Sequence, residues 1–240
     1  MMDMKITSVQ ASLTAIFAAL QAILTIFPLG ITIGVAGTIT LGAAGGPLIG
    51  ILLGPYLGGS AALIGSLVGC FINPSGAIFG FLTIIPPFLG AVGAGCVRFN
   101  RGYIAGAIIL ASLMVFYAHP YGQQAYIYPW LHVVAMIIAF SPLAVMASSS
   151  FASLSFSRTL FGVTMASFVG VMSDHIAGSA IAIWYFNLPP AIWYSAMPVY
   201  PIERIIAMII AAIIAAPIYQ RLRKAGLLYG VAHQQSSDEK

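Results

Sequence analysis

Apolar runs of helix length, separated by short polar or Gly/Pro-rich breaks, cover nearly the whole chain. Eight such segments are legible, at roughly residues 8–27, 41–55, 57–73, 77–97, 103–118, 130–148, 158–183 and 201–222. A helix rises 1.5 Å per residue, so about 20 residues cross a bilayer core, and 41–55 and 103–118 are marginal spans. The break between the second and third segments rests on Gly54-Pro55, followed by Gly58-Gly59. Proline removes a helix donor and glycine loosens the next turn. Small residues recur at four-residue spacing: Ala11, Ala15 and Ala19; Gly50, Gly54 and Gly58; Gly65 and Gly69; Gly76 and Gly80; Gly102 and Gly106. In lipid, where the hydrophobic effect does not drive helices together, such faces let backbones approach and gain dispersion contact. The pattern predicts an all-α, polytopic membrane helix bundle, with one transmembrane domain over 1–229 and a polar, disordered tail over 230–240. The first segment lacks a clear cleavage transition and is expected to be a retained helix rather than a signal peptide.

Composition sharpens this picture. Of 240 residues, 60% are hydrophobic and 6% charged, and the mean hydropathy is +1.01. An ordinary soluble domain carries about 25% charged residues, so this chain could not cover a water-facing surface. The segments also lack the short alternating pattern of an outer-membrane barrel. With the N-terminus inside and eight crossings, Lys5, Arg98, Arg101, Arg158, Arg221, Arg223, Lys224 and Lys240 fall on the cytoplasmic side, leaving Arg204 opposite. That asymmetry predicts a multi-pass plasma-membrane protein with both termini cytoplasmic. Basic residues confined to short loops are an orientation signal, which discounts nucleic acid. Cys70 and Cys96 lie in apolar stretches without a CxxC, and no GxxxxGK[ST] occurs. Neither a disulfide framework, a zinc site nor a P-loop is indicated, and no cofactor is expected.

Candidate chemistry gathers at the predicted outer side. Away from the termini the acids are Asp174 and Glu203. Asp174 follows Arg158 by about 24 Å of helical rise, which places it towards the outer leaflet beside His175. Glu203 and Arg204 open the last helix. Ionisable groups at such depth are costly unless paired or hydrated, so they mark a partner or a pathway. Neighbouring helix positions diverge by about 100°, so Asp174–Arg204 is the expected bridge, with His175 in the same network. It serves either to tie the last two helices or to wall a polar pocket. Aromatic residues are one-sided as well: Tyr117, Tyr121, Tyr126, Tyr128 and Trp130 in one outer loop, and Trp184, Tyr185, Trp193, Tyr194 and Tyr200 in another. A headgroup belt explains part of this, and rings facing a cavity the rest. Asn73, in Asn73-Pro74-Ser75, suits a turn cap or a polar contact.

The stretch Pro47-Leu48-Ile49-Gly50-Ile51-Leu52-Leu53-Gly54-Pro55-Tyr56-Leu57-Gly58 resembles the second-to-third helix region of energy-coupling-factor (ECF) transporter S components. The Ala11, Ala15, Ala19 face is similar to the one by which that family docks its transmembrane coupling subunit. The Gly- and Thr-rich loop Pro28 to Thr40 occupies the place of the family's substrate-capping loop. Val199 to Arg204, the closing Arg221, Arg223 and Lys224, and Asp174-His175 with Gly178 also look like the family. The likeness covers residues 8–98 and 158–224. It departs over 103–148, where two segments exceed the family's six-helix core. The resemblance implies a substrate-capture subunit that binds a vitamin or similar micronutrient from outside and works with a coupling subunit and two ATPase subunits. Substrate contacts are then expected from Asp174, His175, Glu203, Arg204, Trp184, Tyr185, Trp193, Tyr200 and Asn73.

Two rival classes make different demands. A stand-alone secondary transporter or channel predicts acids near the midplane, often in a repeated unit, and no repeat is evident. An intramembrane enzyme needs a nucleophile beside its base, whereas Ser60 and His175 are expected at opposite ends. The chain is therefore expected not to be an enzyme.

Overall fold

The computed structural model describes residues 7–26, 30–33, 37–40 and 42–228, and is a polytopic membrane helix bundle. Its helices are α1 (Ser8–Ile26), α2 (Gly42–Ile72), α3 (Ile85–Arg98), α4 (Gly102–Ala118), α5 (Pro120–Gln124), α6 (Trp130–Phe140), α7 (Pro142–Ser150), α8 (Phe156–Phe186), α9 (Pro190–Ala196) and α10 (Tyr200–Lys224). The tail expected to be disordered lies outside the described residues. The Gly- and Thr-rich loop contains an antiparallel hairpin, β1 (Gly30–Ile33) and β2 (Gly37–Thr40), with Gly30 opposite Thr40.

Gly54 breaks α2 at φ 83° and ψ 178°, a backbone conformation open essentially to glycine alone. The two arms, 42–53 and 55–72, fold back on each other. A Cβ on Gly58 would lie 2.8 Å from Gly50 Cα, and positions 45 and 65 both face Gln21 of α1. The expected second and third segments are thus two antiparallel passes. Counting both arms, α4, and the α6–α7 pair as one, the described bundle passes eight times between its ends. By length and apolarity alone, five stretches cross unaided, and α6–α7 adds a sixth bent by 69°. That bend corrects the single span expected over 130–148. Its cause is Ser141-Pro142: proline disfavours helix at the preceding residue, and the Ser141 hydroxyl accepts the Leu143 N–H at 3.2 Å to start α7.

Glycine seams hold the bundle. Cβ atoms at Gly46 and Gly95 would sit 2.5 Å from the Pro87 carbonyl and the Pro55 nitrogen, and one at Gly50 would fall on the Ala91 carbonyl. A Cβ on Gly170 of α8 would lie 2.7, 2.9 and 3.0 Å from the Ala94 side chain, the Gly90 carbonyl and the Pro47 ring, so α8 packs closely on the main chain of α3 and on Pro47 of α2. Gly76 and Gly80, by contrast, lie in 3-10 turns after α2, and a Cβ on Gly80 meets nothing.

Arg98, Arg101, Arg158, Arg221, Arg223 and Lys224 share one end of the bundle, the basic end. Arg98 is buried there. Its Nη1 donates to the Ile51 and Leu52 carbonyls at 2.9 Å each, satisfying orphan acceptors where the first arm of α2 stops. Arg223 likewise donates to the carbonyls of Phe151, Ala152 and Ser153 at 2.6–3.1 Å.

Candidate functional site

At the end opposite the basic residues, α1, α2, α3, α8, α9 and α10 surround a cavity of about 420 Å³, within the range of small-molecule sites. Asp174, His175, Trp193 and Arg204 line it, together with Gln21, Ser66, Phe79, Pro86, Pro87, Tyr128, Gly178 and Ser179. The hairpin between α1 and α2 sits at this end, and β2 lies beside α10.

Asp174 belongs to α8, 18 residues after Phe156 and 12 before Phe186. It is deeper than expected, because α8 continues past the predicted end at 183. Its Cβ lies 2.9 Å from where a Gly90 Cβ would be, so the absence of a side chain there makes room for it. Among the described residues Asp174 makes no hydrogen bond and no ion pair within 4.0 Å. The expected Asp174–Arg204 bridge is therefore corrected. Arg204 pairs instead with Glu203, its neighbour in the first turn of α10, at 3.6 Å, both side chains 12% exposed. Long side chains curl across the divergence of adjacent helix positions, whereas the short aspartate is held at the α3–α8 seam.

His175 forms a buried pair with His132 of α6, Nδ1 to Nε2 at 2.9 Å, one nitrogen donating and the other accepting. Tyr200 stacks on His132 with centroids 5.4 Å apart and planes 15° apart, and its hydroxyl donates to the Tyr128 carbonyl at 2.7 Å. Tyr200 thus stands behind the cavity as a strut rather than in its lining. The Tyr128 hydroxyl shares a hydrogen with Ser179 at 3.1 Å, and burial pushes this phenol up to about 12, so it stays protonated. Gln21 is buried in α1 and its Nε2 donates to Ser66 Oγ at 3.2 Å.

Besides Tyr200, four expected contacts lie off the cavity. Trp184 is 53% exposed, donates to the Val115 carbonyl at 2.9 Å and meets His119 edge-on. Tyr185 is half exposed and packs on Phe79 and Phe186. Both point away because α8 rotates about 100° per residue beyond the lining positions 174, 175, 178, 179 and 182. Asn73 is a turn residue, its Nδ2 donating to the Ile26 carbonyl at 2.9 Å, and Glu203 acts by holding Arg204. Trp193 does line the cavity, 5% exposed, its indole donating to the Leu188 carbonyl at 3.1 Å. Gln21, Ser66 and His132 were not singled out from the sequence, and Tyr128 was named only among the outer-loop aromatics. Lone polar side chains inside apolar runs, as at Gln21 and His132, were the available signal.

The chain is similar to the uncharacterized protein MJ0923 of Methanocaldococcus jannaschii, with 31% identity over 161 residues. The match takes in 67% of this chain and 54% of the relative, so the chain spans about half of that protein's length. No protein-family model matches the chain. No solved structure matches it either. Alanines 11, 15 and 19 of α1 are all exposed, on a face turned away from α2.

Proposed function

We propose that the protein is the substrate-capture subunit of an ECF-type importer, taking up a vitamin-like micronutrient at the outer face of the plasma membrane. The observation that carries the reading is the cavity opposite the basic end, with the hairpin that links α1 to α2 at that end and its second strand beside α10. In this reading the basic end is cytoplasmic, both termini are inside, and the hairpin covers the bound substrate. The exposed Ala11, Ala15, Ala19 face, flanked by Ile16 and Ile23, docks the transmembrane coupling subunit, and two ATPase subunits supply the energy. The chain itself catalyses nothing and holds no cofactor in this account.

A second reading, a solitary proton-coupled transporter, is favoured by the depth of Asp174 and its nearness to the buried His132–His175 pair. Affinity purification of tagged protein in mild detergent separates the two. Recovery of two ATPases and a coupling subunit supports capture. Recovery of the chain alone, repeated under cross-linking, together with uptake driven by a proton gradient, supports the solitary transporter.

A further inference from the structure

The charges around the cavity do not cancel. Arg204 has Glu203 at 3.6 Å as its ion-pair partner, while its buried Nε has no hydrogen-bond partner among the described residues. Asp174, 8% exposed and lining the cavity, has no hydrogen-bond or ion-pair partner among the described residues. A carboxylate held away from water without a counter-charge is strongly disfavoured, and a ligand that brings the counter-charge recovers the interaction. With both carboxylates ionised, Asp174, Glu203 and Arg204 sum to one negative charge, and a monocation then makes this end neutral.

The walls describe the rest of the ligand. One and two turns beyond Asp174 on the same face of α8 stand Gly178 and Ala182, which leave a shelf without long side chains. A Cβ on Gly178 would find only Pro86, at 3.7 Å. Pro86, Pro87, Phe79 and Trp193 add flat apolar surfaces. Such walls accept a ring against faces and exclude water from the acid beneath.

We propose that the cavity takes a small, flat, positively charged ligand, an aromatic amidine or a protonated amino-heterocycle, whose cationic N–H groups pair with Asp174. This rests on the cavity being the capture site proposed above. The charge-assisted pair reaches the carboxylate while the ring lies between the proline pair and Trp193.

The test uses the full chain in detergent and three probes of one shape: benzamidinium, benzamide and benzoate, titrated calorimetrically. Benzamidinium is expected to bind at least about tenfold more tightly than benzamide, and benzoate more weakly than either. Asp174→Asn, which keeps shape and removes charge, is expected to bring benzamidinium down to the level of benzamide. Tighter binding of benzoate, equal binding of all three, or benzamidinium binding untouched by Asp174→Asn overturns the proposal. If the variant fails to fold, the ranking on the unaltered protein decides by itself. The ranking does not involve ATPase partners. An intact ranking without partners sinks the importer reading alone, whereas partners with benzoate preferred sink the ligand class alone.

Discussion

Gly54→Ala is the sharpest test of how the bundle is built. Two separate penalties are visible. The backbone at φ 83°, ψ 178° is forbidden to an L side chain without local rearrangement, which costs roughly 1–3 kcal/mol. The new Cβ would also stand 2.7 Å from Cε2 of Phe99 and 3.3 Å from its Cζ, and forcing a packed ring aside costs about 1–3 kcal/mol more. Together they amount to about 2–6 kcal/mol. Gly80→Ala supplies the control, since Gly80 also has positive φ, 57°, but a Cβ there meets nothing within 4 Å. It should cost only about 1–2 kcal/mol. Reversible unfolding in mixed detergent micelles, followed by circular dichroism, measures both. In the Gly54→Ala background, Phe99→Leu should cost less than it does alone, because it also relieves the clash. If Gly54→Ala proves no more destabilising than Gly80→Ala, the chain does not fold back at Gly54 as described.

Other expectations rest on the same structure. Arg98→Met should destabilise by about 2–4 kcal/mol by leaving the Ile51 and Leu52 carbonyls unanswered, and Arg98→Lys should recover only part; chemical denaturation of the three proteins reads this directly. Ala15→Phe should abolish recovery of partner subunits in pull-downs while leaving ligand retention and folding intact, and loss of all three would argue for misfolding instead. Trp193→Ala should weaken ligand binding about tenfold or more, whereas Trp184→Phe, off the cavity, should leave it within about twofold; the reverse order would move the site to the outer rim.

Much of the fold was legible because its determinants are local. Gly54-Pro55 announces the turn inside α2 by chemistry that no neighbour can override, and the small-residue spacing at Gly50, Gly65, Gly69 and Gly102 marks real seams. Ser141-Pro142 carried a comparable signal, but the apolar run on either side hid it. The site was half legible. Asp174, His175, Trp193 and Arg204 converge on one cavity, as expected of unusual groups in apolar helices. Which charge pairs with which depends on side-chain length and on where helices cross, so Glu203 rather than Asp174 meets Arg204. Trp184 and Tyr185 were misplaced because an aromatic-rich stretch does not reveal which of its positions face inward.

The junction of Pro47, Gly90 and Gly170 lies one turn below Asp174. There α3 and α8 meet through their main chains and α2 fills the remaining corner with the rigid Pro47 ring, so no rotamer flip opens a gap between α2, α3 and α8 at that level. Side-chain hops take picoseconds to nanoseconds, whereas displacement of packed helices takes microseconds to milliseconds. A solute resting on Asp174 could therefore pass along this seam only at the pace of whole-helix motion.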